Sequence, residues 1–360
     1  MFFNWQEDWQ DSHVYLAACD AAYGQLERMC GQADFPPDGV TAVCVARNEA
    51  ERLPSFLAHY RDLGVRHIHV IDNASTDGTC AIAAAWPGTT VWRTDASYAD
   101  AVFGQIWIGA VVRRHGIGRW VLNVDADEHL VYDGMDRQDI GSLCGWLRAR
   151  GQARLFAPLI DLYPRLPLRK GSGFWPGRWW SLMRARPEGD TDGKSCYFDR
   201  AGPADAPNYH CQRFGVGTCV KGGVRARVIA GNRDAFWLNK VPLALWDGDT
   251  AYCHVHFPFP FDLNPHEPLG ALLHYKFVGD FQGRVSAAIR ENQHWQGSSE
   301  YRLYEEWLAT GAPLFDRRYS VRYDGPESLI AEGLLMPIAW EESVSPPASA
   351  GQLVAGAIPA

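Results

Sequence analysis

Residues 119–134, RWVLNVDADEHLVYDG, decide the fold. Trp120, Val121, Leu122 and Val124 make the short apolar run that a buried strand needs, and the run stops at Asp125, Asp127 and Glu128. Acids at the C-terminal end of a strand emerge in the crevice where open α/β sheets bind ligands. Hard oxygen ligands one residue apart suit Mg²⁺ or Mn²⁺. A solvated acidic turn would carry the same letters, so the surrounding chain has to decide between the two.

Upstream of this stretch the pattern alternates. VTAVCVA, 40–46, is a β-branched run that predicts a first strand, and Leu53, Phe56, Leu57, Tyr60 and Leu63 follow at helical spacing, with Pro54 in the first turn and Gly64 at the end. VRHIHVI, 65–71, predicts a second strand that runs into Asp72-Asn73-Ala74-Ser75-Thr76-Asp77-Gly78. A helix from about Thr79 to Ala85 comes next, and its N-terminal amides favour an anion. Thr89 to Arg93 reads as a third strand and Ala101 to Val112 as an apolar helix leading to the Asp125 strand. Strands and helices alternating in this way predict a doubly wound, mostly parallel α/β sheet with its polar loops along one edge.

With 360 residues, 47% hydrophobic and 21% charged, the chain has material for one large domain or two. A net charge of −8 argues against nucleic acid as the partner, whose binding surfaces are usually basic. The first twenty residues hold acids and glutamines where a signal peptide needs a basic flank and an apolar run, and no apolar stretch is long enough to span a bilayer. The expectation is a cytoplasmic protein without a membrane span, a composition that leaves room for peripheral membrane association. Nine cysteines are scattered without a Cys-x-x-Cys pair, which predicts reduced, structural thiols.

VARNEAERLPSFLAHYRDLGVRHIHVIDNASTDGT, 45–79, followed by WVLNVDADEHL, 120–130, resembles the nucleotide-sugar-binding half of family 2 glycosyltransferases of the GT-A fold, in the bacterial subgroup with Asp-x-Asp-Glu at the metal strand. LNKVPLALW, 238–246, and GALLHYKF, 270–277, resemble segments of the same subgroup and extend the likeness to about residue 310. The resemblance implies a GT-A-like fold and a metal-dependent, inverting transfer from a nucleoside-diphosphate sugar to a saccharide or other hydroxyl acceptor. It implies that Ala46, Arg47, Asn48 and Glu49 lie beside base and ribose and that Asp72 contacts one of them. Asn73 stands where the family more often has a second acid, which leaves the base open. Asp125 is implied to face ribose or metal, Asp127 to bind Mn²⁺ or Mg²⁺, Lys240 to counter the diphosphate, and either His254 or His274 to serve as a late metal ligand. Glu128 either orients a ligand through a hydrogen bond or caps its turn.

The implied organisation is an N-terminal extension over 1–38, a nucleotide-sugar-binding half over 39–160, an acceptor-side half with C-terminal helices over 161–335, and a disordered tail over 336–360. Aromatic residues over 160–236 suit either an acceptor platform or an ordinary packed core. Val224 to Ile229 and Lys240 to Trp246 alternate like strands, His254 and His256 share one side of another, and Gly270 to Phe281 and Ser298 to Leu308 read as helices. The catalytic base is unknown. Asp247 and Asp249, then Asp199 and Asp205, are its candidates, although Asp247-Gly248-Asp249 is equally a good turn. A nucleotidyltransferase would show a Gly-rich phosphate loop after strand one, and ARNEAERL has no glycine. An inactive carbohydrate- or nucleotide-binding scaffold remains the non-enzyme alternative.

Overall fold

The computed structural model describes residues 12–165, 196–202, 208–214, 217–229, 236–253 and 255–340. Its centre is a mixed sheet flanked by helices. Four strands, β2 (Val40–Ala46), β3 (His67–Asn73), β4 (Thr89–Thr94) and β5 (Trp120–Asn123), lie parallel in the order β4-β3-β2-β5. β2 and β3 are almost wholly buried; β2 accordingly reads as a nearly continuous apolar run, while β3 buries His67, His69, Asp72 and Asn73 among its apolar residues. Antiparallel strands close the edges. β1 (Glu27–Cys30) pairs with β4, while β13 (Leu243–Leu245) joins β5 to β7 (Arg154–Leu155). Residues 12–38, expected as an extension, therefore supply an edge strand of the main sheet, and helix α1 (Ser12–Ala22) packs beside it.

Helices cover both faces. α2 (Leu53–Asp62), α3 (Thr79–Ala85) and α5 (Ile140–Ala149) bury Phe56, Leu57, Tyr60, Ala83, Leu143 and Leu147 on one side. α1 and α4 (Gln105–His115) bury Tyr15, Cys19, Trp107 and Val111 on the other. α2 carries Pro54 in its first turn and ends where Gly64 takes φ 95°, a conformation that costs any side chain bearing a Cβ. α4 begins four residues later than its apolar pattern suggests, because Val102, Phe103 and Gly104 turn left-handed first.

A smaller sheet decides where the site lies. β6 (Glu128–Val131), β14 (Ala271–His274) and β8 (Leu159–Asp161) stand in the order β6-β14-β8. The expectation of a helix over Gly270 to Phe281 fails here: the three buried apolar residues Ala271, Leu272 and Leu273 fit a strand as well as a helical turn, and two partner strands settle the matter. The register sets His274 opposite Glu128 on one side and opposite Asp161 on the other. Val224 to Ile229 is likewise no strand: it follows the hairpin of β11 (Tyr209–Phe214) and β12 (Gly217–Gly222) as a π-helical turn over Arg225–Ile229. The third sheet joins β15 (Ser320–Arg322), β10 (Cys196–Asp199) and β9 (Tyr163–Pro164).

Three helices follow in the C-terminal part: α6 (Phe281–Glu291), α7 (Trp295–Thr310) and α8 (Pro326–Ala331), and α7 contains the helix expected over 298–308. Residues 336–340 dock on the body, with Trp340 against Trp146 and the Ile338 amide 2.8 Å from Asp133 Oδ2. The rest of the expected tail, 341–360, lies outside the described residues. No helix among the described residues is long and apolar enough to cross a membrane. All nine cysteines are free.

Buried histidines make this core acid-sensitive. His59 is stacked 4.6 Å from His129 with Nε2 2.8 Å from the Leu130 carbonyl, and burial pulls it down to about 4. His69 accepts from Trp92 Nε1 at 2.9 Å and is also held well below its ordinary value, first by burial. The unfolded chain takes protons on these rings near pH 6.5, whereas folded His59 resists until about 4 and folded His69 also resists well below 6.5, so the stability present above 6.5 is lost as pH falls below it, at up to ~1.4 kcal/mol per pH unit per group. Urea midpoints should therefore be lower at pH 5 than at pH 7.5, and His59→Gln should shallow that dependence. Equal midpoints would contradict it.

Candidate active site

The C-terminal ends of the parallel strands open into a cavity of about 660 Å³. Arg47, Asn48 and Glu49 after β2, Asn73 at the end of β3, Asp95 after β4, and Asp125 and Asp127 after β5 line one side. His274, Lys276, Arg284 and Tyr301 line the other. The strand-end loops are tied together. Asn48, at φ 56°, receives the Thr76 amide on Oδ1 at 2.8 Å, and the Glu49 amide donates to Thr79 Oγ1 at 2.7 Å.

Asp127 is held from two directions. Arg52 Nη1 donates to its Oδ2 at 2.6 Å, while the same guanidinium grips Glu49 through Nε at 2.6 Å and through Nη2. His274 Nε2 lies 3.5 Å from that Oδ2. Its Nδ1 lies 2.6 Å from Asp161 Oδ1, and since an ionised carboxylate only accepts, that nitrogen carries the proton. Arg225 Nε in turn donates to Asp161 Oδ2 at 2.8 Å and Nη1 to Glu300 at 3.0 Å, and Glu300 also pairs with Lys276 at 3.2 Å. Beside this chain, Lys240 Nζ lies 3.3 Å from Asp125 Oδ2 and 2.9 Å from Glu128 Oε1, while Glu128 Oε2 caps the Asp125 amide at 3.1 Å.

Burial and neighbours pull these groups apart. Burial pushes the Asp127 carboxyl up, but Arg52 and His274 outweigh it and hold Asp127 well below the usual carboxylate range. Burial pulls His274 down, yet Asp127 and then Asp161 leave it raised. Glu128 goes the other way: burial pushes it up to about 7 against the opposing pull of Lys240.

Of the residues singled out from sequence, Arg47, Asn48, Glu49, Asp125, Asp127 and His274 line this cavity, and Lys240 lines an adjoining one with Asp125. Ala46 is packed in the core and not on the cavity wall. Asp72 is also off the wall, fully buried, with Oδ2 3.3 Å from the Ser75 amide and Oδ1 without a partner among the described residues. Successive strand residues face opposite sides, so Asn73 takes the cavity side and Asp72 the other. His254 lies outside the described residues, and His256 lines the adjoining cavity with Nδ1 2.8 Å from the Asn239 carbonyl.

Of the acids considered as bases, Asp247 and Asp199 are engaged elsewhere. Asp247 Oδ1 accepts from the Thr250 amide at 2.7 Å and the Asp249 amide at 3.1 Å, the turn role its sequence allowed. Asp199 is buried against Arg227, Asn208 and Tyr163, and Asp205 lies outside the described residues. Arg52, Asp95, Lys276 and Arg284 escaped the sequence reading. Only Lys276 left a trace there, two residues beyond His274 and so on the same face of an extended segment.

No family model matches the chain, and no curated protein matches it. Among solved structures, the mannosyltransferase PcManGT from Pyrobaculum calidifontis, in complex with GDP-Man and Mn²⁺, is 19% identical over 42% of this chain and 45% of that one, with a TM-score of 0.26. The aligned part spans less than half of that protein, and a likeness at this level carries no argument about activity.

Asp161 adds to the raising effect of Asp127 on His274. Asp161→Asn should lower the His274 pKa in an NMR titration of the metal-free protein, because the raising effect of the carboxylate is lost while burial remains. An unchanged titration would show that Asp127 alone holds the imidazolium.

Proposed function

We propose that the chain is a glycosyltransferase that moves a sugar from a nucleoside-diphosphate donor to an acceptor hydroxyl, with inversion and with help from Mn²⁺ or Mg²⁺. The observation that supports this best is Asp127 beside His274 at the floor of a strand-end cavity. Four cationic and five acidic side chains line that cavity, so it carries no surplus positive charge of its own for a diphosphate. A bound cation supplies that surplus.

The donor set suits such an ion. Asp127 keeps lone pairs beyond the one facing Arg52, and His274 presents Nε2 while Asp161 fixes the proton on Nδ1, the arrangement metal-binding histidines usually have. No three His, Cys, Asp or Glu side chains among the described residues converge as a complete metal cluster. That matches a Mg²⁺- or Mn²⁺-type site completed by substrate phosphate and water rather than an all-protein cage. When bound, the ion would neutralise charge on the departing diphosphate.

The remaining work falls to the chain. Arg47 and Asn48 would orient the nucleoside from the loop after β2, with Asp95 after β4 on the same side of the cavity. Arg52 keeps Asp127 ionised at any pH near neutral and so keeps it available as a ligand. Lys276 lines both cavities and offers an ammonium to the leaving group at their junction.

Asp127→Asn tests the proposal, since it keeps the shape of the side chain while removing its charge. Calorimetric titration of UDP, GDP and their sugars should show Mn²⁺-dependent binding to the native chain, with the Mn²⁺ dependence lost in the variant. Metal-independent binding equal in both proteins would sink the metal, and no nucleotide binding at all would sink the glycosyltransferase.

A further inference from the structure

A second cavity of about 510 Å³ adjoins the first and shares Asp125, His274, Lys276 and Tyr301 with it. Its outer wall has a different chemistry. Phe103, Phe236, Trp237 and Trp295 line it, and Trp237 and Trp295 are each 42% exposed although most large apolar side chains are buried. Both flanks of the Phe103–Trp295 side are held in unusual backbone. Val102 and Phe103 have φ of 49° and 55°, and the three residues after Trp295 are all left-handed. Such conformations cost energy and concentrate where a fold presents side chains to a ligand.

The charged side chains of the second cavity pair with one another: Lys240 with Glu128 at 2.9 Å and Asp125 at 3.3 Å, Arg225 with Glu300 at 3.0 Å, and Lys276 with Glu300 at 3.2 Å. Each of these groups already has a partner of opposite sign in the wall, so none is left waiting for a charged ligand. One polar group is nevertheless unsatisfied. Arg225, 4% exposed, has no acceptor for Nη2 among the described residues, and a buried donor left unpaired carries a desolvation cost that a ligand oxygen would relieve.

We infer that this second cavity is the acceptor subsite and takes a neutral saccharide, its ring against Trp237 or Trp295 and one of its oxygens accepting from Arg225 Nη2. Tryptophan packs on the apolar face of a sugar ring and presents a polar edge to its hydroxyls. The shared wall at Asp125, His274 and Lys276 joins the second cavity to the donor cavity, and inversion requires the accepting hydroxyl to meet the anomeric carbon from the face opposite the departing diphosphate. The inference rests on the glycosyltransferase reading and adds to it the class of acceptor.

The test uses the full chain with Mn²⁺, in the absence and presence of UDP or GDP. The probes are methyl glucoside, galactoside and mannoside as neutral sugars, and glucuronate and glucose 6-phosphate as anionic ones, with binding read by saturation-transfer NMR and tryptophan fluorescence. At least one neutral glycoside should bind and the anionic sugars should not. Trp237→Ala or Trp295→Ala should weaken that binding by about two- to tenfold, the range of an aromatic contact, with nucleotide affinity retained. Both positions are partly exposed, and near-UV dichroism checks that each variant stays folded. Absence of neutral-sugar binding, preference for the anionic sugars, or binding indifferent to both substitutions would overturn the inference. Nucleotide binding separates the two failures: its loss in the native chain condemns the donor reading, whereas its persistence without sugar binding condemns only the acceptor assignment.

Discussion

The site depends on one buried line of alternating charge: Glu49, Arg52, Asp127, His274, Asp161, Arg225, Glu300, Lys276. Its middle members, Arg52, Asp127, His274, Asp161 and Arg225, are largely out of bulk water, where an isolated charge would cost several kcal/mol, while Glu300 at the far end is 31% exposed, and each is answered by a neighbour of opposite sign. The line begins in the loop after β2, crosses the turn after β5 and ends among the C-terminal elements. Removing one member leaves its neighbours uncompensated, so the two cavities are coupled through structure as well as through shared wall residues.

What makes the line possible is the small sheet β6-β14-β8. Glu128, His274 and Asp161 fall in one register row, so strand pairing alone fixes the imidazole between a carboxylate and the end of the metal strand. Slipping β14 by one residue would turn His274 to the opposite face and break the line. Hydrophobic burial of Leu272 and Leu273, both fully buried, opposes that slip. Packing thus sets the geometry on which the polar groups act.

The parallel core was legible because buried strands leave unbroken β-branched runs and their crossover helices leave a 3.6-residue rhythm. Arg47, Asn48, Glu49, Asp125 and Asp127 reach the cavity because they follow directly from strand ends, where sequence position and spatial position coincide. Asp72 and Asn73 differ by a single residue of strand parity, which a resemblance between loops does not resolve. The helix expected over Gly270 to Phe281 fails because three apolar residues, Ala271 to Leu273, satisfy either period, and the strand at 271–274 is decided by partners more than a hundred residues away. The roles of Arg52 toward Asp127 and of Arg225 toward Asp161 were invisible for the same reason: each comes from a counter-charge distant in sequence, and no spacing rule marks it.

The central claim is that Asp127 and His274 together hold a divalent ion against a nucleoside diphosphate. Crystals grown with Mn²⁺ and UDP or GDP, measured for manganese anomalous scattering, test it most directly. The account predicts an anomalous peak within coordination distance of an Asp127 carboxylate oxygen and His274 Nε2, with diphosphate oxygens completing the ligand set. Nucleotide bound in the cavity with no manganese at Asp127, or manganese held elsewhere, would contradict it.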